Sequence, residues 1–234
     1  MKKRLHIIMT LLLFVGIFYL SRRGAALQAE YAASIPASDP PVIVLDAGHG
    51  SIDPGKVGVD GGLEKDINLS ITQYLKGYLE ESGVTVVLTR KDDSPLYKES
   101  DSNKKRGDMS TRVSIIEEAD PALVVSIHQN SYPDSSVSGP QVFYYAASTE
   151  GKSLAETIQK NFAYAVEGEK IRTAKANQDY YLLIHTPCPT VICECGFLSN
   201  PEECAKLQQE DYQKKVAWSV YLGIMEYLNL PVNQ

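Results

Sequence analysis

Two hydrophobic periods alternate along most of this chain. Val42–Leu45, Val84–Thr89, Leu123–Ile127, Gln141–Tyr145 and Val191–Cys193 are short apolar, β-rich runs that read as strands. Between them the spacing becomes helical. Glu64–Glu81 carries Ile67, Ile71, Tyr74, Leu75, Tyr78 and Leu79 at helical spacing and is stopped by Ser82-Gly83. Ser110–Ala119, Gly151–Val166, Glu202–Gln208 and Asp211–Leu228 read as further helices. Alternating strands and helices predict an α/β fold: a single domain with a central, mostly parallel but mixed sheet of about six strands and helices on both faces. Gln141–Tyr145 follows Leu123–Ile127 with no helix between them, which marks a place for antiparallel pairing. The polar, Gly-rich stretch Gly48–Gly62 is long for a loop and is expected to be functional or tied down by a ligand. Lys91–Gly107 reads as an exposed insertion, its basic run Lys104-Lys105-Arg106 as a solvated loop, and Tyr181–Ile184 as a short apolar segment.

The N-terminus breaks this pattern. Lys2, Lys3 and Arg4 precede an apolar run from Leu5 to Leu20, followed by Arg22 and Arg23. Cations before an apolar run are the layout of an export signal. Residues 1–29 are therefore read as a signal peptide or an uncleaved signal-anchor, 30–41 as an Ala/Ser/Pro-rich linker, and 42–230 as the catalytic domain. The 234-residue chain has a net charge of −6, and removing residues 1–29 takes away five cations and no anions, which leaves −11. So acidic a domain is a poor partner for nucleic acid. The four cysteines are Cys188, Cys193, Cys195 and Cys204. Cys193 and Cys195 are too close on a strand end for an ordinary bridge, and no C-x2-C pair is present for a zinc thiolate site. Unpaired, apolar cysteines are expected.

Four apolar runs lead into metal-friendly or acidic groups. The first strand enters Asp46-Ala-Gly-His49-Gly50, Glu64 opens a helix, Leu123–Ile127 enters His128, and Thr190–Cys193 enters Glu194. Taken singly, His49 reads as a turn histidine, His128 as a strand-end histidine, and Glu64 as a first-turn helix glutamate favoured by the dipole. Glu194, among apolar neighbours, needs a partner or a raised pKa. Together they point to a hydrolase. Two histidines and a glutamate hold a zinc ion with one position open to water, and a further glutamate handles that water's proton. Ligands of open α/β sheets gather beyond the carboxyl ends of strands, where these residues are expected to meet. Asp46 is read as an acceptor that orients His49 or as a turn cap. Arg90 and Arg112 are read as ion-pairing or capping residues, His185 as a cleft or surface residue, and Trp218 as part of a helix core face.

The segments Leu45–Gly50, Gly62–Leu69, Thr89-Arg90, Ser126-Ile-His-Gln-Asn130 and Glu194-Cys-Gly-Phe-Leu-Ser-Asn-Pro201 resemble the zinc-dependent N-acetylmuramoyl-L-alanine amidases of the amidase-3 type, over residues 42–228. The resemblance implies His49, Glu64 and His128 as zinc ligands and Glu194 as the catalytic residue. It also implies peptidoglycan as substrate, cut at the amide between muramic acid and L-alanine. Ala47 and Cys195 depart from the residues more usual at those positions. Lys91–Gly107, Arg172-Thr-Ala-Lys175 and Tyr180–His185 are similar to the germination-specific, spore-cortex members of the family. Those members act in making muramic-δ-lactam, which implies an exported location at the forespore cortex. Another zinc peptidase and a non-catalytic wall-binding protein are the alternatives. Amidases of dividing cells often carry a helix over the zinc, and Ser131–Pro140 is too short for one. An unblocked cleft is expected, controlled by expression, by location or by an accessory protein.

Overall fold

A computed structural model describes residues 2–34, 40–165 and 172–232, which divide into two compact units, one ending at Asp39 and one beginning at Pro40. The first is a single helix, α1 (Lys2–Ser34). Among the described residues, no helix is long and apolar enough to cross a membrane. The apolar run Leu5–Leu20 reaches only about 24 Å at 1.5 Å per residue, against roughly 30 Å of hydrocarbon. Of the expected linker, residues 30–34 belong to α1 and 35–39 lie outside the described residues.

The second unit is built on one sheet. Its strands are β1 (Val42–Ala47), β2 (Thr85–Leu88), β3 (Leu123–Asn130), β4 (Gln141–Tyr145), β5 (Lys175–Asn177) and β6 (Thr190–Phe197), in the spatial order β2-β1-β3-β6-β4-β5. β2, β1, β3 and β6 are mutually parallel. β4 runs antiparallel to β6, and β5 is parallel to β4, so the sheet is mixed as expected. The helices are α2 (Glu64–Glu81), α3 (Lys104–Ala119), α4 (Thr149–Asn161), α5 (Tyr181–His185), α6 (Pro201–Leu207) and α7 (Glu210–Tyr227).

Strand alternation separates two faces. Leu45, Val125, Ile127, Cys193 and Cys195 join the main core with Ile71 and Leu75 of α2, Ile158 of α4 and Val220 of α7. Val44 and Val124 face the other way and meet Ile116 of α3 and Leu182 of α5. By the same alternation Asp46, Ser126, His128 and Glu194 belong to this second face. One side of the sheet is thus a continuous core, and the other becomes polar toward the strands' carboxyl ends. Trp218 packs edge-on against Tyr78 with ring centroids 5.2 Å apart, the helix-face role expected of it.

Several boundaries differ from the sequence reading. α3 starts at Lys104, so the basic run is a first helical turn instead of a solvated loop. Asn103 caps it by accepting the Arg106 N–H at 3.0 Å. The expected helix Gly151–Val166 ends as α4 at Asn161 with a short 3-10 turn over Phe162–Tyr164, and Val166 lies outside the described residues. β6 and β3 run on past Cys193 and Ile127, which puts Glu194 and His128 inside strands.

Candidate metal centre and active site

The site begins where β1 ends. His49 adopts a left-handed backbone with φ 61°, a conformation that costs a non-glycine residue energy and needs external support. Two buried arginines supply that support. Arg112 donates to the carbonyls of Ala47 at 2.8 Å and His49 at 2.5 Å. Arg90 donates to the carbonyls of Ala47 at 2.8 Å, Gly48 at 3.1 Å and Lys65 at 2.7 Å. Both have the structural role expected of them, and both act on the histidine-bearing turn.

Glu64 enters from the first residue of α2 and is almost fully buried. Its Oε1 lies 3.2 Å from His49 Nε2 and 3.1 Å from His128 Nδ1. Oε1 also accepts from Gln129 N at 3.1 Å and Asn68 Nδ2 at 3.2 Å, and Oε2 accepts from Lys56 N at 2.7 Å. Burial alone would raise the Glu64 pKa. The bonds to His128 and His49 outweigh it and hold the carboxyl well below the usual carboxylate range. The ligand atoms of His49, Glu64 and His128 all lie within 4.8 Å of one another. Two imidazole nitrogens and a carboxylate oxygen that converge this closely suit a zinc-type cation with an open coordination position. Small residues make the room. A Cβ on Gly48 would come within 2.2 Å of the His128 ring, and one on Gly55 would meet Glu64 Oε2 at 2.5 Å.

Asp46, read either as an acceptor that orients His49 or as a turn cap, takes neither role. Its carboxylate is taken up by Arg112 Nη1 at 2.5 Å, Thr89 Oγ1 at 2.6 Å and Ser126 Oγ at 2.5 Å. The partner of His49 Nδ1 is Asp53 at 3.1 Å. Burial would lower the His49 pKa, but the bonds to Glu64 and Asp53 raise it. The sequence reading missed Asp53 because a loop residue four positions on carries no periodic signal. Asn68, one helical turn after Glu64, is a partner that spacing alone points to.

Glu194 pairs in register with His128 across β3 and β6, so the two share a face on adjacent strands. It is buried, and its Oε2 has no hydrogen-bond partner. Burial pushes its pKa up to about 7, with His128 pulling it down and Glu64 pushing it further up. Such a group exchanges a proton near neutrality. Cys193 and Cys195 point to the opposite face, and all four cysteines are free, as expected. Tyr180 stands at the same cavity. Burial raises its pKa, with Glu194 and Glu64 adding to the rise, so its hydroxyl stays a hydrogen-bond donor.

These residues open into a cavity of about 830 Å³ lined by His49, Glu64, His128, Tyr180, Tyr181 and Glu194 among others. No helix forms between Ser131 and Pro140, and the cleft is open. The loop Gly48–Gly62 is tied down by the protein itself, through reciprocal backbone bonds of Gly50 and Asp53 at 3.0 Å and through Glu64. His185 is exposed and stacks on Tyr181 with ring centroids 3.9 Å apart, and it does not line the cavity.

Comparison with known proteins gives the same direction. Residues 43–226 match the profile of the N-acetylmuramoyl-L-alanine amidase family, Amidase_3. The chain is 36% identical over 231 residues to the germination-specific N-acetylmuramoyl-L-alanine amidase of Bacillus subtilis, covering 97% of this chain and 96% of that one. Its fold is similar to that of the CwlD amidase from Clostridioides difficile in complex with the GerS lipoprotein. That match has a TM-score of 0.78 and 43% identity over 81% of this chain and 98% of that one. The catalytic domain of CwlV from Paenibacillus polymyxa matches with a TM-score of 0.71 and 34% identity, over 82% of this chain and 99% of that one. The chain therefore belongs to the N-acetylmuramoyl-L-alanine amidase family, and hydrolysis of the muramoyl–L-alanine amide is its activity.

Proposed function

We propose that this amidase uses one zinc ion held by His49, Glu64 and His128, with Glu194 as its acid–base group, and that it trims peptidoglycan of the spore cortex. The observation that carries the first part is the convergence of three ligand atoms within 4.8 Å beside a buried carboxylate whose pKa lies near 7. Bound zinc supplies Lewis-acid polarisation of the amide carbonyl and acidifies a water. The chain's own groups do the rest. Glu194 accepts the proton of the attacking water and returns it to the alanine nitrogen as the C–N bond breaks. Asp53 fixes the His49 ring by holding Nδ1, which leaves Nε2 facing the metal position. Tyr180 donates to the substrate at the cavity wall.

The cortex assignment rests on likeness to the germination-specific relative, and an extracytoplasmic site of action follows from the substrate. The residue 1–29 segment serves as signal peptide or anchor and residues 42–230 as the catalytic domain. An accessory protein is part of the proposal, because the similar CwlD amidase has a structure with a lipoprotein partner. Product analysis of purified protein on cortex and vegetative peptidoglycan, with zinc quantified, tests this. Stem peptides beginning with L-alanine, released from cortex with zinc bound, support it. Cleavage inside the peptide sinks the amidase mechanism. Tight zinc binding and full activity without a partner sink the accessory role.

A further inference from the structure

The turn that carries His49 is left-handed at more than one residue. Ser51 has φ 53°, beside His49 at 61° and Gly50 at 133°. Glycine takes that region freely, whereas a serine there is strained and returns to ordinary backbone unless something holds it. Within the turn, the two arginines reach only the carbonyls of Ala47, Gly48 and His49. Ser51 is held by a different group. Its N–H donates to Asp93 Oδ1 at 2.7 Å, and its carbonyl accepts from Lys65 Nζ at 3.0 Å. The same ammonium reaches Asp93 Oδ2 at 2.6 Å, so one ion pair clamps both peptide groups that flank Ser51. Tyr97 touches the side chain, its hydroxyl 3.3 Å from Ser51 Oγ. Asp93 and Tyr97 belong to the polar stretch after β2, and Lys65 directly follows Glu64 on α2.

We propose that Lys65 and Asp93 are positioning residues for the metal: their ion pair holds Ser51 in its strained conformation and so keeps His49 facing Glu64 before zinc arrives. The placement of the pair supports this. Lys65 ties the turn bearing one ligand to the helical turn bearing another, along a path that avoids the metal position. Its side chain is only 12% exposed, so its charge-assisted bonds are partly shielded from water, while Asp93 at 51% closes the clamp from outside. Without the pair, Ser51 relaxes and the histidine turn leaves Glu64. Zinc binding must then restore the strained turn, and affinity falls by that cost. The stretch Lys91–Gly107 thus reaches the site through Asp93, although it reads as an insertion.

The test is zinc affinity of the metal-stripped protein, measured by competition with a chromogenic chelator. Asp93→Ala and Lys65→Met are each expected to weaken it by about tenfold. The double variant loses far less than the product of the two single losses, because the residues act as one unit. Ser51→Gly restores most of the loss in either background, since glycine stays left-handed without a clamp. Ser51→Ala removes the same hydroxyl, keeps the Cβ and restores nothing. A purely structural role for the pair gives no such rescue by glycine. Unchanged affinity in both single variants overturns the proposal. So does a loss that Ser51→Gly fails to restore, or that Ser51→Ala restores equally. The inference rests on the zinc reading of this site, and a separate result overturns that reading: a parent protein that binds no zinc.

Discussion

Asp46 and Glu194 are buried carboxylates on the same face of the sheet, and their surroundings differ in kind. Asp46 sits at the end of β1 against a guanidinium and two hydroxyls. Burial works to raise its pKa, and Arg112, Ser126 and Thr89 together drive it well down. Glu194, two strands away in the sheet, has one oxygen with no partner, and burial wins. A carboxylate whose hydrogen-bonding capacity is filled by the protein is a structural brace. One left partly unfilled in a dry setting is held ready for a substrate's proton, at a cost to stability.

The contrast gives predictions that differ in sign. Replacing Arg112 by Met leaves Asp46 buried without its counter-charge and also removes donors from Ala47 and His49. A loss of about 3–5 kcal/mol is expected, read as a drop in the denaturant midpoint. A loss below about 1 kcal/mol would mean that the Asp46 pair is not a brace. Because the Asp46 pKa is depressed on folding, its stabilisation is full above the unfolded value near 3.8 and is lost as pH falls through the lower folded value.

Glu194→Gln is expected to act the other way in metal-free protein. Its folded pKa of about 7 lies above the reference value of 4.5, so the ionised form destabilises the fold increasingly as pH rises between the two. The variant should match the parent near pH 4 and exceed it by on the order of 2–3 kcal/mol at pH 8. Thermal melts at the two pH values measure this. A variant less stable than the parent at pH 8 would break the comparison.

Asp53→Asn is expected to have the smallest effect, because Asp53 is partly open to solvent. Zinc affinity should fall by about tenfold, the low end for a residue that orients a ligand histidine. Competition with a chromogenic chelator reads it. Unchanged affinity would show that His49 needs no carboxylate behind it.

Much of this is legible in the sequence alone. The apolar runs of β1 and β3 announced themselves, as did the stripe from Ile67 to Leu79 on α2. The resemblance gathered His49, Glu64, His128 and Glu194 from distant segments. What escaped the sequence had physical reasons. β5 is three half- or fully exposed residues, Lys175, Ala176 and Asn177, formed only because Phe143–Tyr145 offers an edge. Glu194 and Gly196 interrupt the apolar pattern, so β6 seemed to stop before the residue it carries. Gly107 disguised the start of α3, which concealed that Lys104 and Lys105 reach the cleft. Proximity in sequence leaves Asp46 open between His49 and a turn cap, whereas alternation turns its side chain toward Ser126 and Arg112.

The most direct test of the account combines two readings on one purified variant, Glu194→Gln. Zinc content is measured by mass spectrometry of the metal, and release of stem peptides beginning with L-alanine is measured on peptidoglycan. The account predicts zinc at the parent's stoichiometry and turnover reduced by about a hundredfold to ten-thousandfold, the range for loss of a general acid–base group. Near-parental turnover, or loss of the metal along with the activity, would contradict it.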